Sequence, residues 1–266
     1  MSLDEIFSKL WEIYSNNNPS VKKVSDIFES LGEVITNDHI AFRTFDNAKV
    51  NIDILSNVFL KNGYQFVQSY DFPEKKLFAK HFEHQSNHKL PRIFISQLIT
   101  NEFSPFLNNT VNQIISEIDS LQLAQDNLIF SGRQWQKPSY KIYEQLRLES
   151  EYAAWLYYNG FVANHFTVSV NNLKIFNSIE KVNNLIIENG FKINTSGGAI
   201  KGSPSQLLEQ SSTMADKLLG DFIEGKYEIR GCYYEFAKRY IDVKGNLYSG
   251  FIAKSADKIF ESTNLK

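Results

Sequence analysis

The sequence has a single cysteine, Cys232, among its 266 residues, so an intrachain disulfide framework is excluded. A lone cysteine is typical of proteins in a reducing compartment. No stretch approaches the roughly 20 apolar residues that a membrane span requires, and the N-terminal residues show neither a basic region nor an apolar signal core. We therefore expect a cytoplasmic protein with no membrane partner.

The chain also lacks a strong charge imbalance. Its 28 basic and 30 acidic residues give a formal net charge of −2, and no basic stripe stands out. Nucleic-acid-binding domains usually carry a basic patch, so nucleic acid is not an expected partner. Hydrophobic residues at 42% are ordinary for a globular protein, whereas 21 Phe and 13 Tyr indicate a core or pocket rich in rings.

Alternation of apolar and polar residues predicts a β-α-β-β-β module over residues 37–100. Ile40 and Phe42 face one side of its first strand, and His39 and Arg43 face the other. A helix with apolar residues at helical spacing follows and ends at an Asn-Gly pair. Three further strands are predicted, at 64–70, 76–82 and 92–98.

Residues 161–266 repeat this order and predict a second module. Its helix, predicted over 175–186, is again followed by an Asn-Gly pair. The number of residues between the histidine of the first strand and this pair is nearly the same in both modules. Such a repeat indicates duplication. The predicted strands of this module span 164–170, 191–195, 233–240 and 248–253.

Helical periodicity predicts two N-terminal helices within 1–36 and a helical connector over 101–160. In the connector we expect helices over 110–121 and 143–158, separated by an ordered loop. The sequence thus predicts one α+β domain over 1–266. Duplicated βαβββ modules would form a partly closed sheet around a metal site, with the N-terminal and connector helices added to it.

Three residues are candidate metal ligands. A lone strand histidine is more often structural, but His39 and His165 occupy matching positions in the two modules, so a pseudo-twofold axis would point both imidazoles into one cavity. Glu235 lies in an aromatic, strand-like run, where burying a carboxylate is costly unless it is paired or metal-bound. An ion pair with Lys238 or Arg239 is the alternative. Two imidazoles and one carboxylate form the facial ligand set of non-haem iron(II) oxygenases.

Three other residues are candidate substrate contacts. Arg43 shares the predicted face of His39 and could bind a carboxylate bidentately, unless it forms a structural ion pair. The Gly-rich segment 197–204 lacks the spacing of a phosphate-binding loop, but its Lys201 and Ser203 could contact an anionic substrate. The polar cluster 210–213 could also face the pocket.

A second group of histidines, His81, His84 and His88, has a spacing that superficially suggests a zinc site. Two of them lie among Gln, Ser and Asn residues typical of a polar turn. We therefore favour a solvated loop over a metal site for this group.

Four segments together resemble the 2-oxoadipate dioxygenase/decarboxylase family, which belongs to the vicinal oxygen chelate group. They are DHIAFRTF at 38–45, KGSP at 201–204, QSST at 210–213 and YYEFA at 233–237, and the resemblance runs from about residue 5 to 255. It implies paired β-α-β-β-β modules. It also implies an Fe²⁺ site on His39, His165 and Glu235, with Arg43 as a substrate-binding residue; purified protein could hold another divalent metal.

The resemblance further implies the substrates and products. With O2 as co-substrate, 2-oxoadipate would lose CO2 and yield 2-hydroxyglutarate. Another 2-oxo acid or a hydroxylated aromatic acid stays open as the substrate. A metal-dependent isomerase, lyase or hydrolase on the same scaffold and a non-catalytic protein that binds a small ligand are the alternative functions. The sequence does not indicate an oligomeric state.

Overall fold

The computed structural model describes residues 1–118 and 127–263. Within them the helices are α1 (Leu3–Asn17), α2 (Pro19–Ser30), α3 (Ile52–Leu60), α4 (Pro105–Ser116), α5 (Tyr140–Glu149), α6 (Glu151–Asn159), α7 (Ile179–Glu188) and α8 (Ala253–Ile259). The strands are β1 (Asn37–Phe45), β2 (Tyr64–Phe72), β3 (Leu77–His84), β4 (Arg92–Leu98), β5 (Ala163–Ser169), β6 (Lys201–Ser203), β7 (Leu208–Ser212), β8 (Lys217–Phe222), β9 (Gly225–Arg230) and β10 (Glu235–Arg239).

The two N-terminal helices are confirmed, and local chemistry explains where they begin. Ser2 and Glu5 form a capping box at the start of α1: the Glu5 N–H donates to the Ser2 hydroxyl, and the Ser2 N–H donates to the Glu5 carboxylate at 2.7 Å. Pro19 occupies the first turn of α2, where its missing N–H leaves no hydrogen bond unmade. No helix among the described residues has both the length and the apolar character that crossing a membrane requires.

Eight strands form one sheet in the order β2-β3-β4-β1-β5-β10-β7-β6. The first strand of each half pairs parallel with the last strand of that half, β1 with β4 and β5 with β10. β1 and β5 pair antiparallel at the centre and join the halves. Each half is therefore a β-α-β-β-β module, and the predicted duplication is confirmed. The β8–β9 hairpin, which was not predicted, is inserted before the last strand of the second module.

The two faces of the curled sheet carry different chemistry, because alternate residues of a strand point to opposite sides. One face packs against helices: the Phe42 ring of β1 lies 5.7 Å from Phe59 of α3, and Phe166 of β5 lies 5.2 Å from Trp11 of α1. The other face carries His39 and the remaining candidate site residues. α8 and the 3-10 turn Phe260–Thr263 lie over this second face.

The helical predictions need three corrections. The helix expected over 110–121 begins earlier, at Pro105, and its predicted end at 119–121 lies outside the described residues. The single helix expected over 143–158 is two helices, because Ser150 ends α5 and caps α6 by accepting the Ala153 N–H at 3.2 Å. The helix expected from 175 begins at Ile179, since the Glu33 carboxylate accepts the N–H groups of 174–176.

Two strands predicted in the second module are wrong. Residues 191–195 contribute only an isolated bridge, between Ile193 and Thr213. In the segment 248–253, the carbonyl oxygens of Tyr248 and Gly250 accept from the Arg239 guanidinium at 3.1 and 2.7 Å, so they are not free for strand pairing. The third and second strands of the module are instead β7 and the short β6.

Candidate metal centre and substrate cavity

Strand register brings His39, His165 and Glu235 together. On the central strand β5, Thr167 is paired with His39 of β1 on one side and with Glu235 of β10 on the other. His165 precedes Thr167 by two residues and so points to the same face of the sheet. Three neighbouring strands therefore deliver one side chain each to a single point, as the predicted pairing of the two modules requires.

The ligand atoms of these three residues lie within 4.8 Å of one another, and His39, His165 and Glu235 are here called the triad. The Nε2 atoms of the two imidazoles are 3.4 Å apart. The Glu235 carboxylate lies between them, with Oε2 3.1 Å from His165 Nε2 and Oε1 3.6 Å from His39 Nε2. Both imidazoles and the carboxylate thus converge on one small volume.

Polar neighbours fix the orientation of each triad residue. The Nδ1 atom of His39 lies 2.8 Å from Asp38 Oδ1, and that of His165 lies 3.1 Å from Asn164 Oδ1. If Nδ1 donates to these oxygens, each Nε2 keeps its lone pair directed at the centre of the triad, the tautomer that a metal requires. Gln210 Nε2 donates to Glu235 Oε1 at 2.6 Å and holds the carboxylate in place.

The charge state of the triad follows from its burial. All three side chains are buried, with Glu235 only 1% exposed. Burial lowers the pKa of His165, which favours a neutral imidazole. Burial opposes ionisation of Glu235, but the adjacent His39 and His165 and the Gln210 hydrogen bond outweigh it and lower the pKa of Glu235. The carboxylate is therefore anionic at neutral pH.

Asp38 connects the triad to a buried arginine. It binds Arg239 bidentately, with distances of 2.7 and 2.9 Å, while its Oδ1 also faces His39. Burial opposes ionisation of Asp38, but the charge of Arg239 and the contact with His39 lower its pKa well below the usual range. Asp38 is thus an anion that can accept from both partners at once.

The surroundings of Glu235 suit a metal ligand. Among the described residues, neither basic neighbour on its strand pairs with it: Arg239 binds Asp38, and Lys238 Nζ donates to the carbonyl of Asn177 at 2.7 Å. The alternative of an ion pair within β10 is therefore wrong. A buried carboxylate is costly unless a positive charge compensates it, and a divalent cation bound by the three triad residues would supply that charge. Two histidines and one carboxylate with open positions suit iron(II).

Two cavities adjoin this face. A cavity of about 10 Å³ lies against the triad, with walls made by Phe94, Gln210, Phe251, Ala256, Ile259 and Phe260. A larger cavity of about 470 Å³ is lined by Arg43, Tyr152 and several charged residues. Phe260 borders both cavities, and its ring centroid lies 6.0 Å from the guanidinium carbon of Arg43.

Arg43 lies in an aromatic cage with part of its guanidinium unpaired. The guanidinium carbon is 4.9 Å from the ring centroid of Tyr152, 5.0 Å from that of Trp155 and 6.0 Å from that of Phe260. Arg43 is 2% exposed, yet its Nε and Nη1 have no hydrogen-bond partner among the described residues. Since a buried unpaired charge is strongly destabilising, these nitrogens point to an anionic ligand rather than to a structural ion pair.

Lys201 and Ser203 lie on β6, and neither lines the two cavities. Lys201 Nζ donates to the Asn194 carbonyl at 2.5 Å, and burial lowers the pKa of this lysine to about 8. The Ser203 hydroxyl caps the following turn by accepting the Gln206 N–H at 3.3 Å. The structure brings Arg43 and the triad to the same face but gives these two residues local partners.

Several residues around the triad escaped prediction. Phe251, whose ring centroid lies 4.8 Å from that of His39, was expected to be part of a strand. The role of Asp38 and Asn164 as neighbours of the triad could have been predicted, because an Asp or Asn residue directly precedes each candidate histidine. The solvated-loop interpretation is wrong for two of the three histidines of the second group, because His81 and His84 both lie on β3. His81, which is also within the predicted strand 76–82, is fully buried, and its Nδ1 lies 2.9 Å from the Tyr70 hydroxyl.

Comparison with known proteins gives a consistent result. The family model described as 2-oxoadipate dioxygenase/decarboxylase matches residues 6–246. A chloroplastic/amyloplastic 2-oxoadipate dioxygenase/decarboxylase from Oryza sativa subsp. japonica is 37% identical over 283 aligned positions, which cover 97% of this chain and 78% of the relative.

Two solved structures superpose closely on this chain. The hydroxyglutarate synthase from Oryza sativa, crystallised with 2-oxoadipate, superposes with a TM-score of 0.90 at 35% identity and covers 98% of this chain and 91% of its own. A protein from Shewanella frigidimarina NCIMB 400, described as a presumed hydrolase, superposes with a TM-score of 0.89 at 47% identity and covers 94% of this chain and 97% of its own.

Proposed function

The chain belongs to the 2-oxoadipate dioxygenase/decarboxylase family, and we propose that it is an iron(II)-dependent enzyme that converts 2-oxoadipate into 2-hydroxyglutarate and CO2. The observation that supports this most strongly is the convergence of two buried imidazoles and one buried carboxylate within 4.8 Å. His39, His165 and Glu235 would hold the metal. The rice relative that was crystallised with 2-oxoadipate supports the choice of substrate.

The proposed reaction balances without an external reductant. The bond between the C1 carboxylate and the C2 keto carbon breaks, and C1 leaves as CO2. One oxygen atom of O2 converts C2 into the new carboxylate, and the other replaces a C3–H bond with C3–OH. Decarboxylation and hydroxylation each supply two of the electrons that reduce O2. Iron(II), when bound, supplies the redox chemistry and a Lewis acid for the keto oxygen.

The residues around the triad would prepare this chemistry. Asp38 and Asn164 would keep both imidazoles in the tautomer that presents Nε2 to the metal. Arg43 would bind a substrate carboxylate through its unpartnered Nε and Nη1. The rings that wall the small cavity would exclude water during the reaction.

Substrate entry requires a movement at Phe260. The cavity of about 10 Å³ beside the triad is too small for a six-carbon diacid, whereas the neighbouring cavity holds about 470 Å³. Since Phe260 borders both, a displacement of its ring would join them. We place the entry route through the larger cavity, past Arg43.

Other features expected from the sequence stay predictions. Substrate contacts from Lys201 or Ser203 are among them, although the Glu235 charge does act on the Lys201 ammonium. A single domain over 1–266 is supported by the pairing of β1 with β5, which makes one sheet of both modules. The cytoplasmic location also stays a prediction, and the plant relative is chloroplastic/amyloplastic by name.

The proposal is tested by turnover under defined metal loading. Protein stripped of metal and reconstituted anaerobically with iron(II) is given 2-oxoadipate and air-saturated buffer, and oxygen uptake and CO2 release are followed. We expect both in equal amounts with iron and neither with zinc. Isomerisation or hydrolysis of a 2-oxo acid with zinc, without oxygen uptake, would favour the alternative enzyme classes.

The ligand assignment has its own control. His165→Ala and Glu235→Gln should each weaken iron(II) binding strongly, because each removes a ligand from the set of three. His88→Ala is the matched control, since His88 is exposed and lies outside the triad. Iron affinity that is unchanged in His165→Ala would show that the assignment is wrong. Protein that binds no divalent metal but does bind 2-oxoadipate would favour a non-catalytic binding protein.

A further inference from the structure

Gln210 lies beside the triad with one end of its amide group unpaired. It is on β7, where it pairs with Ala237 of β10, and Ala237 follows Glu235 by two residues. Directly paired residues and residues two apart share a face of a sheet, so Gln210 points to the face that carries Glu235. It is 2% exposed and lines the small cavity against the triad. The side chain is therefore a wall of the space in which the proposed reaction would take place.

The hydrogen bond to Glu235 fixes the orientation of the Gln210 amide. Its Nε2 donates to Glu235 Oε1 at 2.6 Å. A carboxylate that binds a metal is deprotonated and can only accept hydrogen bonds, so the amide must turn its NH2 group toward it. The amide oxygen, Oε1, is buried and has no hydrogen-bond partner in the part of the chain that the structure describes. Gln210 therefore keeps a buried, unpaired acceptor next to the triad.

An unpaired acceptor at this place distinguishes the two organic acids of the proposed reaction. At neutral pH the two carboxylates and the keto oxygen of 2-oxoadipate can only accept hydrogen bonds. The product, 2-hydroxyglutarate, carries a hydroxyl group that can also donate one. Since hydroxylation takes place at the triad, this hydroxyl forms in the cavity that Gln210 and the triad line together. The substrate thus leaves the Gln210 oxygen unpaired, whereas the product can satisfy it.

We propose that Gln210 is a product-binding residue whose amide oxygen accepts a hydrogen bond from the hydroxyl group that the reaction adds. This assignment rests on the proposed function and adds a residue that distinguishes the hydroxylated product from the 2-oxo acid. Because the hydroxyl exists only once the C–H bond has been replaced, this bond stabilises the hydroxylated state and not the bound substrate. The same side chain also holds the Glu235 carboxylate, so it contacts both a metal ligand and the product.

Replacing Gln210 also removes the donor to Glu235, so a control variant must separate the two effects. Asn164 offers this control: its Oδ1 lies 3.1 Å from His165 Nδ1, and Asn164 is not among the residues that line the small cavity. Asn164→Ala therefore loses a contact that orients a metal ligand but keeps the cavity wall. Gln210→Met loses the comparable contact to Glu235 and the unpaired acceptor as well. A change that occurs only in Gln210→Met is then due to the amide oxygen.

The test compares two ligands and three proteins. Wild type, Gln210→Met and Asn164→Ala are saturated with iron(II) and kept anaerobic. Dissociation constants for 2-hydroxyglutarate and for glutarate, which lacks the hydroxyl group, are measured by calorimetric titration. The constant for glutarate divided by that for 2-hydroxyglutarate reports the contribution of the hydroxyl group in each protein. We expect this ratio to fall about 3- to 10-fold in Gln210→Met, the effect of losing one neutral hydrogen bond, and to match the wild type in Asn164→Ala.

Two results would overturn the proposal: a ratio in Gln210→Met equal to that of the wild type, or an equal fall of the ratio in Asn164→Ala. If Gln210→Met does not fold, Gln210→Asn takes its place, because it keeps an amide but withdraws it by one methylene group, and the ratio should fall in it too. Failure of the proposed function itself looks different. In that case the iron-loaded wild type binds neither 2-oxoadipate nor 2-hydroxyglutarate, or consumes no oxygen with 2-oxoadipate when air is admitted.

Discussion

Replacing Arg43 with methionine separates a substrate-binding role from a structural one. Methionine is unbranched, shorter and uncharged, and it keeps an apolar side chain beside the cage formed by Tyr152, Trp155 and Phe260. The substitution removes a buried charge that has two unpartnered nitrogens in the protein without ligand. If Arg43 binds substrate, Arg43→Met should impair catalysis and leave the fold intact. If Arg43 is structural, the variant should unfold more easily.

The magnitudes follow from the contacts. Truncating one partner of a buried charge pair costs about 2–5 kcal/mol, because the other charge is left unpaired. At about 1.4 kcal/mol for each factor of ten, kcat/KM for 2-oxoadipate should fall by about 30-fold to 4,000-fold. Two opposing effects act on the free energy of unfolding of the variant. The variant loses cation–π contacts worth about 0.5–2 kcal/mol each but is relieved of an unsatisfied buried charge, so the free energy of unfolding should change little or rise.

Two measurements check this prediction: steady-state oxygen uptake with 2-oxoadipate, and urea unfolding of the metal-free protein. Iron(II) affinity, measured in parallel, should match the wild type, because Arg43 is not part of the triad. A large loss of stability with kcat/KM reduced less than about tenfold would show that the guanidinium has a structural role and does not bind the substrate.

Three further predictions concern the surroundings of the triad. Asn164→Ala removes the oxygen that faces His165 Nδ1 and should weaken iron(II) binding by about 10–100-fold in a chelator competition assay; unchanged affinity would show that Asn164 does not orient the imidazole. Phe260→Leu shortens a side chain that borders both cavities, so water should reach the triad. The amount of 2-hydroxyglutarate formed per O2 consumed should then fall below that of the wild type. An unchanged ratio of product to O2 would show that Phe260 does not separate the two cavities. Burial lowers the pKa of Lys201 to about 8 in the folded protein, whereas a lysine in the unfolded chain has a pKa of about 10.4. Between about pH 8 and 10.4 the unfolded state therefore binds more protons than the folded state, so the contribution of Lys201 to the free energy of unfolding rises with pH in this range. Lys201→Met should therefore remove part of the increase in Tm between about pH 8 and 9.5. If Tm rises equally with pH in the variant and the wild type, the pKa of Lys201 is not lowered.

The paired modules and the triad were predictable because their signals are local. Period-two alternation around His39 and His165 placed both imidazoles on the same face of their strands, and the repeated Asn-Gly pair aligned the two modules. Once β1 and β5 pair at the centre of the sheet, the convergence of the two histidines follows. The assignment of Glu235 as a metal ligand also needed the resemblance to a known family, because burial of a carboxylate alone does not distinguish an ion pair from a metal ligand.

The conformation of the segments that lie over the triad was not predictable, because it depends on contacts between residues that are far apart in the sequence. The segment 248–253 has the composition of a strand, but Arg239 binds its carbonyl oxygens and the Tyr70 hydroxyl accepts the Phe251 N–H at 3.0 Å. Tyr70 and Phe251 are far apart in sequence, and no local pattern reports their contact. Lys201 is a similar case: its position in a Gly-rich segment suggested a contact with an anionic substrate, and no local pattern indicated that its ammonium would donate to the Asn194 carbonyl.

We propose that the triad holds iron(II) and that the enzyme uses both atoms of O2 to oxidise 2-oxoadipate. Turnover under oxygen-18 gas tests it most directly, with mass spectrometry of both products. From the atom balance, 2-hydroxyglutarate should carry two labelled oxygens, one in the new carboxylate and one in the hydroxyl, and the released CO2 should carry none. A product formed from 2-oxoadipate without any label from the gas would show that the enzyme is not a dioxygenase and would indicate hydrolysis or isomerisation instead.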